Sequence, residues 1–296
     1  MRILITGNMG YVGSVLIPFL AKHDEELGLV GWDTGFFAHA LTNCQMLPER
    51  NLEAQIFGDT RDMKVENLQG FDSIVHLAAV SNDPMGQSFE TVTQEINREA
   101  SVKIAKMAAE AGVKRFVFAS SCSIYGAASQ NSKTENDTTN PLTAYAKSKI
   151  GTEQDLIDAN LGEMIVTNLR FGTACGMSDR LRLDLVLNDF VACAISSGKI
   201  EILSDGSPWR PLIDVEDMSR IILWACKREA SDGGQFLTVN AGKSEWNYQV
   251  KDLAEAVASQ VPRCNLLINT NARPDKRSYK VDFSLFESLA PAFLPR

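Results

Sequence analysis

Short apolar runs alternate with longer amphipathic segments along roughly the first 170 residues of the chain. The short runs are continuously apolar or β-branched, which is typical of strands buried on both faces of a parallel sheet. In the longer segments, apolar positions recur at the spacing of a helix. The pattern predicts strands at residues 3–6, 27–32, 54–57, 73–77, 116–120 and 165–169, and helices at residues 12–22, 89–111 and 143–160. This order predicts an α/β protein with a Rossmann-type, doubly wound parallel sheet built from right-handed βαβ units.

The pattern loosens after residue 172, where a loop rich in Gly, Ser and Arg leads into an amphipathic helix. We predict helices at residues 183–197, 216–228 and 248–260, and strands at residues 200–203, 212–214, 236–240 and 266–269. This arrangement indicates a larger domain over residues 1–172, to which residues 212–242 return, and a smaller C-terminal lobe over residues 173–296.

Charge and composition exclude several classes of function. The 296 residues are 45% hydrophobic, which suffices for a large core, and carry a net charge of −8. With a pI near 5.1, the chain is a poor partner for nucleic acid or an anionic membrane, because both require basic surfaces. No apolar run approaches the roughly 18 residues that span a bilayer. We therefore expect no nucleic-acid partner and no membrane partner.

Cysteine usage bears on compartment and on metal binding. The six cysteines show no CxxC spacing and only three histidines are present, which favours reduced thiols and provides no credible metal site. The first residues run straight into a strand-like segment without the pattern of a secretory signal. The sequence predicts a cytoplasmic protein without a metal.

The first motif with chemical meaning is ITGNMGYVGS, at residues 5–14. Gly7, Gly10 and Gly13 follow a predicted strand and open a predicted helix, where glycines let the backbone approach a pyrophosphate at a helix N-terminus. The next strand is followed by Asp33, about 20 residues on, where a carboxylate can bind the ribose hydroxyls of adenosine. No arginine follows Asp33 directly, which favours NAD over NADP. The alternative is a tight turn without a ligand.

The second motif is AYAKSK, at residues 144–149. Tyr145 and Lys149 lie one helical turn apart on one face, and Ser121 ends a predicted strand about 25 residues earlier. A phenol with an ordinary pKa near 10 needs a nearby positive charge to act as a base at neutral pH, and Lys149 would supply one. The alternative is a solvated helix face.

These motifs together resemble the extended short-chain dehydrogenases/reductases, and among them the NAD-dependent epimerases/dehydratases that act on nucleotide sugars. The resemblance covers nearly the whole chain. It is carried by the glycine turn, Asp33, HLAA at 76–79, Asn97, SSCSIYG at 120–126, YxxxK at 145–149, LRFGTACG at 169–176, WRPLIDVED at 209–217 and DKRSYKVDFS at 275–284.

The resemblance implies catalytic roles for Ser121, Tyr145 and Lys149. Implied contacts to NAD are Gly7, Gly10, Tyr11, Val12, Gly13, Asp33, Asp59, Thr60, Leu77, Ala78, Ala79, Asn97, Tyr145, Lys149 and Phe171. Implied contacts to a nucleotide-diphosphate sugar are Ser81, Ser121, Ser123, Thr173, Asn188, Arg210 and Arg277.

The reaction implied is hydride transfer at a sugar carbon, with C4 expected. Ser121 and Tyr145 would hydrogen-bond the sugar hydroxyl, and Tyr145 would take its proton. If the 4-ketosugar turns over and is reduced on its other face, the protein is an epimerase. Two alternatives stay open: an NAD(P)H-dependent ketosugar reductase, and a non-catalytic nucleotide-binding protein of the same fold.

Cys122 is the residue that separates branches of this family. In the 4,6-dehydratases, the two residues after the catalytic Ser or Thr are Asp and Glu, whereas here they are Cys122 and Ser123. Neither can replace an adjacent acid and base at neutral pH. We expect Cys122 to be a buried packing residue, and we expect His76 to be structural.

The two long helices of the first domain also suggest an oligomer. Family members pair these helices across a two-fold axis, and closed two-fold contacts are favoured in homo-oligomers. Apolar positions beyond those needed for one sheet face would be Ile96, Ile104, Met107, Ile150 and Leu156. We expect a homodimer; the alternative is that all five residues face the sheet.

Overall fold

The structure is a computed structural model that describes residues 1–42, 44–81, 83–127, 131–269, 272 and 275–296. The strands of this part of the chain are β1 (Arg2–Thr6), β2 (Gly28–Asp33), β3 (Ala54–Phe57), β4 (Ser73–His76), β5 (Arg115–Ser121), β6 (Ile165–Phe171), β7 (Thr173–Cys175), β8 (Lys199–Ile202), β9 (Trp209–Asp214), β10 (Phe236–Ala241), β11 (Asn247–Gln249) and β12 (Asn265–Ile268). The helices are α1 (Tyr11–His23), α2 (Asp83–Ser88), α3 (Glu90–Gln94), α4 (Ser101–Glu110), α5 (Ala144–Asp158), α6 (Val186–Ser197), α7 (Val215–Lys227), α8 (Val250–Gln260) and α9 (Ser284–Leu289). A π-helical turn, Glu95–Ala100, joins α3 to α4.

Seven parallel strands form the central sheet, in the order β10-β6-β5-β4-β1-β2-β3. The chain runs from β1 outward to β2 and β3, and then returns to the other side of β1 at β4. In such a sheet, the reversal opens a crevice at the carboxyl ends of β1 and β4. The predicted α/β, Rossmann-type fold is confirmed.

Helices cover both faces of this sheet, which explains why its strands are continuously apolar. In β1, Ile3 and Ile5 contribute to the core beneath α1 and α7, whereas Leu4 contributes to the core beneath α4 and α5. Alternate side chains of a strand point to opposite faces, so each face needs its own apolar set. The described helices include none that is long and apolar enough to cross a membrane.

The dimer prediction rested in part on residues that the structure places elsewhere. Ile104 and Leu156 are fully buried in the core between the sheet and its helices. Both therefore serve the fold of a single chain, and their assignment to a subunit interface was wrong. Ile96, Met107 and Ile150 are only half-buried.

The C-terminal lobe has its own small sheets and core. β9 pairs in parallel with β7 and antiparallel with β11, and β8 pairs with β12. Within the predicted return segment, 212–242, β10 joins the central sheet beside β6, whereas β9 pairs with β7 and β11. Ile213 of β9 nevertheless packs in the core of the central sheet. The return of this segment and the division into two domains stay predictions.

Candidate active site

The glycine turn between β1 and α1 lies tightly against its neighbours. Gly7 has a φ of +70°, and a Cβ added there would lie 2.6 Å from the backbone nitrogen of Ala78. A Cβ on Gly13 would lie 2.3 Å from the carbonyl oxygen of Asn8. At the helix start, Gly10 is the N-cap and carries no side chain to cover the first amides of α1. The N-cap residue therefore provides no side chain that would compete with a pyrophosphate for the first amides of α1.

Asp33 lies beside this turn at the end of β2. Its Oδ2 accepts a hydrogen bond from Met9 N at 3.0 Å, and its Oδ1 accepts one from Gly35 N at 2.8 Å. These bonds fix the half-buried carboxylate next to the glycine turn, where a ribose diol can reach it.

The neighbouring candidates Asp59 and Thr60 lie on a 3₁₀ turn that follows β3. Asp59 caps this turn and its carboxylate is chelated by Arg61, with a shortest distance of 2.7 Å. The hydrogen bonds from Arg61 hold the pKa of Asp59 below its ordinary value. Thr60 is buried, so the backbone of this turn is better placed than the Thr60 side chain to contact an adenine.

Ser121, Tyr145 and Lys149 come together where β5 ends and α5 begins. Ser121 Oγ accepts a hydrogen bond from Ser123 N at 3.1 Å, a bond that does not use the hydroxyl hydrogen. Lys149 Nζ donates to the carbonyl oxygen of Ala119 at 2.6 Å and lies 5.5 Å from the centre of the Tyr145 ring. Lys149 thus links α5 to the strand end that carries Ser121.

Burial dominates the electrostatics of this cluster. Lys149 is 2% exposed, and burial lowers the pKa of its ammonium group to about 7, against an opposing pull from Glu153. His76, on β4, is 1% exposed. Burial, with a smaller contribution from Lys149, lowers the pKa of His76 to about 3. The histidine is therefore neutral, and its bonds to Thr6 at 2.7 Å and Ser101 at 2.8 Å confirm that it is structural.

Asn97 is fully buried in the π-helical turn before α4. Its predicted contact with the cofactor stays a prediction. Its Oδ1 accepts a hydrogen bond from Val80 N at 2.7 Å, and its Nδ2 donates to Val80 O at 2.9 Å and Ser148 Oγ at 3.1 Å. The π-helical turn brings Asn97 to this position, where it holds the loop after β4 against α5. That loop contains the half-buried candidates Leu77, Ala78 and Ala79, which line the crevice.

Cys122 and Ser123 occupy the 3₁₀ turn after β5. Cys122 is fully buried, donates to the carbonyl oxygen of Arg170 at 3.0 Å, and has its pKa raised by burial. The prediction of a packing residue is confirmed. Ser123 Oγ is buried and makes no hydrogen bond within the described part of the chain, a state that suits a polar ligand group.

The two predicted substrate arginines meet around an aspartate. Arg210 Nη2 lies 3.0 Å from Asp275 Oδ2, and Arg277 Nη2 lies 2.8 Å from the same oxygen. Arg210 also donates to the carbonyl oxygen of Arg277. Beneath them, Tyr279 is buried, with the Arg210 guanidinium 5.9 Å from its ring centre and a hydrogen bond to Thr173. The structure therefore joins Thr173, Arg210 and Arg277 in one cluster.

Asn188 and Ser81 have partners that the sequence does not indicate. Asn188 Oδ1 accepts a hydrogen bond from Gly176 N at 3.0 Å, and its Nδ2 donates to Arg182 O at 3.0 Å. Tyr11 O–H donates to Gly176 O at 2.8 Å, so the glycine turn is tied to the same loop. Arg182 donates to Ser81 Oγ at 2.9 Å and is close enough to Tyr145 for their charges to interact.

Arg182 and Asp275 are thus site residues that the sequence analysis did not select. The signal for Asp275 is its position two residues before Arg277, where it can neutralise a basic segment. The signal for Arg182 is weaker, since nothing in the SDRLRLD stretch distinguishes it from Arg180. Arg180 is instead buried in an ion pair with Glu49 at 2.7 Å.

Known proteins are similar to this chain in sequence and in fold. The model of the NAD-dependent epimerase/dehydratase family matches residues 3–242, and the chain belongs to this family. An uncharacterized UDP-glucose epimerase of Bacillus subtilis, YtcB, is 29% identical over 230 residues, which are 73% of this chain and 70% of that protein. The UDP-glucose 4-epimerase of Corynebacterium glutamicum is 25% identical over 274 residues, or 86% of this chain and 79% of that protein.

Solved structures extend the likeness of fold. MoeE5 in complex with UDP-glucuronic acid and NAD has a TM-score of 0.84 at 24% identity, over 100% of this chain and 94% of that chain. UDP-glucose 4-epimerase from Stenotrophomonas maltophila has a TM-score of 0.84 at 22% identity, with the same coverage. The protein is an NAD-dependent enzyme of the epimerase/dehydratase family. The glycine turn, whose N-cap Gly10 has no side chain, and the fixed carboxylate of Asp33 fit this cofactor.

Proposed function

We propose that this enzyme interconverts the C4 epimers of a nucleoside-diphosphate sugar. The observation that carries the proposal is the position of Lys149, whose ammonium group bridges the strand end of Ser121 and the ring of Tyr145. NAD, when bound at the glycine turn, would supply a group that removes and returns a hydride at the sugar carbon. Curated relatives named as UDP-glucose 4-epimerases support the choice of reaction.

Each of the three side chains has a chemical role in this proposal. Tyr145 takes the proton of the C4 hydroxyl during oxidation and returns it during reduction, with the nearby ammonium of Lys149 stabilising the phenolate. Ser121 donates a hydrogen bond to the same sugar oxygen, since the bond that it accepts from Ser123 N does not use its hydroxyl hydrogen. Lys149 in addition is proposed to hold the nicotinamide ribose, as the family resemblance implies.

The cluster around Asp275 is proposed as the diphosphate site. A chain with a net charge of −8 needs local cations to bind a diphosphate. Arg210 and Arg277 are held side by side by one carboxylate. Two guanidinium groups against one carboxylate leave a net positive charge for the ligand, and guanidinium groups bind phosphate in a bidentate manner. Asn188 and Ser123 stay predicted substrate contacts.

The 3₁₀ turn after β5 disfavours a reaction that eliminates water from the sugar. The dehydratase positions hold Cys122, whose thiol is fully buried with a raised pKa, and Ser123. Neither is an acid or base that could act at C5 or C6 of a sugar.

We further propose that the enzyme is a cytoplasmic homodimer. The six free cysteines, three of them buried, suit a reducing compartment. The half-buried Met107 and Ile150 and the 59% exposed Ile157 leave apolar surface on α4 and α5 for a partner subunit.

Incubation of the purified enzyme with a panel of UDP-, GDP-, dTDP- and CDP-sugars, followed by chromatographic separation of the epimers, tests the proposed reaction. We expect one C4 epimer pair to interconvert.

Tyr145→Phe is expected to lower turnover by roughly 100-fold or more, the scale of a lost general acid/base, while NAD binding by calorimetry is retained. Near-normal turnover in this variant would exclude the phenol as the base, and release of free NADH in stoichiometric amounts would indicate an oxidoreductase instead.

A further inference from the structure

A buried ion pair lies directly behind the catalytic cluster and has no part in the reaction as described above. Glu153 and Arg170 are joined by a 2.7 Å bond between Oε2 and Nη2, and their side chains are 2% and 8% exposed. Arg170 Nε makes two further contacts to the Glu153 carboxylate, at 3.0 and 3.1 Å. Taking two charges out of water is costly, and such a pair is weak evidence of a stabilising role. Its position suggests another role.

Glu153 follows Tyr145 and Lys149 at steps of four residues along α5. Residues four apart lie on one face of a helix, so the three side chains face β5 together. The last three residues of β5 are Ala119, Ser120 and Ser121, and the first two of them bond to this face of α5. The Ala119 carbonyl accepts from Lys149, Ser120 Oγ donates to Glu153, and Ser121 is the predicted catalytic serine.

Arg170 anchors the carboxylate from the other side. It lies on β6, opposite Ser120 in the parallel register. Its Nη1 donates to Tyr125 O–H at 3.1 Å, and Tyr125 in turn donates to Asn240 Oδ1, on β10, at 2.7 Å. The carboxylate of Glu153 is therefore held from β5 by Ser120 and from β6 by Arg170.

Lys149 is surrounded by groups from β4, β5 and α5, and these groups differ in charge. From β4, His76 faces it in the neutral form. From β5, the contacts of Lys149 Nζ are a hydrogen bond to the Ala119 carbonyl and the ring of Phe118, whose centre is 4.6 Å away. Along α5, Tyr145 lies on one side and Glu153 on the other, with Arg170 behind Glu153. Among the described groups, Glu153 is the anion that favours a charged Lys149 against the effect of burial.

We propose that Glu153, held by Arg170, is a positioning residue that seats α5 on the end of β5 and favours the charged form of Lys149 beside Tyr145. The part played by Lys149 rests on the proposed epimerase reaction. The geometry and the charge effect of Glu153 do not depend on it.

The direct test follows Lys149 itself. Protein labelled with ¹³C at the lysine ε carbon is titrated by NMR, and the Lys149 resonance is assigned by its loss in Lys149→Met. In Glu153→Gln, which keeps the shape but removes the anion, we expect Lys149 to lose its proton at a pH lower by about one unit or more. The alkaline limb of turnover against pH should move in the same direction. Asp158→Asn removes an equal charge from an exposed position on the same helix and should leave both curves in place.

The Lys149 titration in Glu153→Gln distinguishes a positioning role of Glu153 from simple structural support. An unchanged Lys149 titration in folded Glu153→Gln would overturn the proposal, whatever the loss in turnover. If this variant does not fold because Arg170 is left unpaired, Glu153→Gln combined with Arg170→Met removes both buried charges and is expected to show a smaller shift in the same direction. The NMR titration needs no substrate, so it stands even if no sugar on the panel is epimerised.

Discussion

The buried ammonium of Lys149 makes a strong prediction about stability, because a residue kept for chemistry should weaken the fold. Burial lowers the pKa of Lys149 from the ordinary 10.5 to about 7. Each unit of pKa corresponds to about 1.4 kcal/mol, so the buried charge costs the folded state roughly 5 kcal/mol below pH 7. Lys149→Met keeps an unbranched apolar side chain of similar length and removes this cost.

Two losses offset part of the gain. The Ala119 carbonyl loses the bond from Lys149 Nζ, and an unsatisfied buried acceptor costs about 1–3 kcal/mol. The contact between the ammonium and the Phe118 ring is lost as well. We therefore expect Lys149→Met to be more stable than the natural protein by roughly 1–3 kcal/mol at pH 6, and to be inactive. Stability exchanged for activity in this way is a common feature of active sites.

The dependence on pH gives the sharper measurement. Between pH 7 and 10.5, the unfolded chain binds a proton at Lys149 that the folded protein does not, so the stability of the natural protein rises with pH across this window. The advantage of Lys149→Met should accordingly be smaller at pH 9 than at pH 6, by about 2–3 kcal/mol. Urea unfolding followed by tryptophan fluorescence at both pH values measures this difference. The cost of the lost hydrogen bond to Ala119 applies at both pH values and therefore cancels.

Lys147→Met is the matched control, since Lys147 is exposed two residues away on the same helix. We expect it to change the free energy of unfolding by less than about 0.5 kcal/mol at either pH. A Lys149→Met variant that is less stable than the natural protein at pH 6, or whose relative stability is the same at both pH values, would contradict the cost assigned to the buried charge.

Two further predictions concern the cofactor and the assembly. The carboxylate of Asp33, fixed by Met9 N and Gly35 N, should give NAD(H) a preference over NADP(H) in calorimetric titrations, because a 2′-phosphate would be repelled; equal or tighter binding of NADP would refute this. The apolar surface of α4 and α5 should form a two-fold interface, so light scattering at micromolar concentration should give twice the 32.5 kDa mass of the chain, and Ile157→Glu should shift the enzyme toward the monomer; a monomeric natural protein contradicts the assignment.

Much of the fold was predictable because each element carries its own signal. The strand at residues 54–57 has the predicted bounds, and α5 begins one residue inside its prediction because Thr143 caps it with a 3.1 Å bond to Ala146 N. Local patterns fail where the partner of an element is distant in the chain. β9 has the apolar run of a central strand, yet it pairs with β7 and β11 in the small lobe. Periodicity reports which residues are apolar, but it does not report which surface they cover.

The same limit applies to the site. The glycine turn, Asp33 and the Tyr145–Lys149 pair are local patterns, and each lies where local geometry alone would put it. Ile104 could not be assigned correctly, because one apolar side chain on a helix is compatible with a subunit interface or with the core. Pairs such as Arg210 with Asp275 join residues 65 positions apart. Only the folded chain shows that Asp275 holds the guanidinium.

The most direct test of the central claim, C4 epimerisation within one active site, follows an isotope. A nucleoside-diphosphate sugar that the panel identifies as substrate is prepared with deuterium at C4 and incubated with the enzyme in ordinary water without added cofactor. We expect the epimer formed to retain the deuterium at C4, as measured by mass spectrometry and NMR, because the label removed by oxidation is returned to the same carbon. Loss of the label to water, or a requirement for added NADPH, would contradict it.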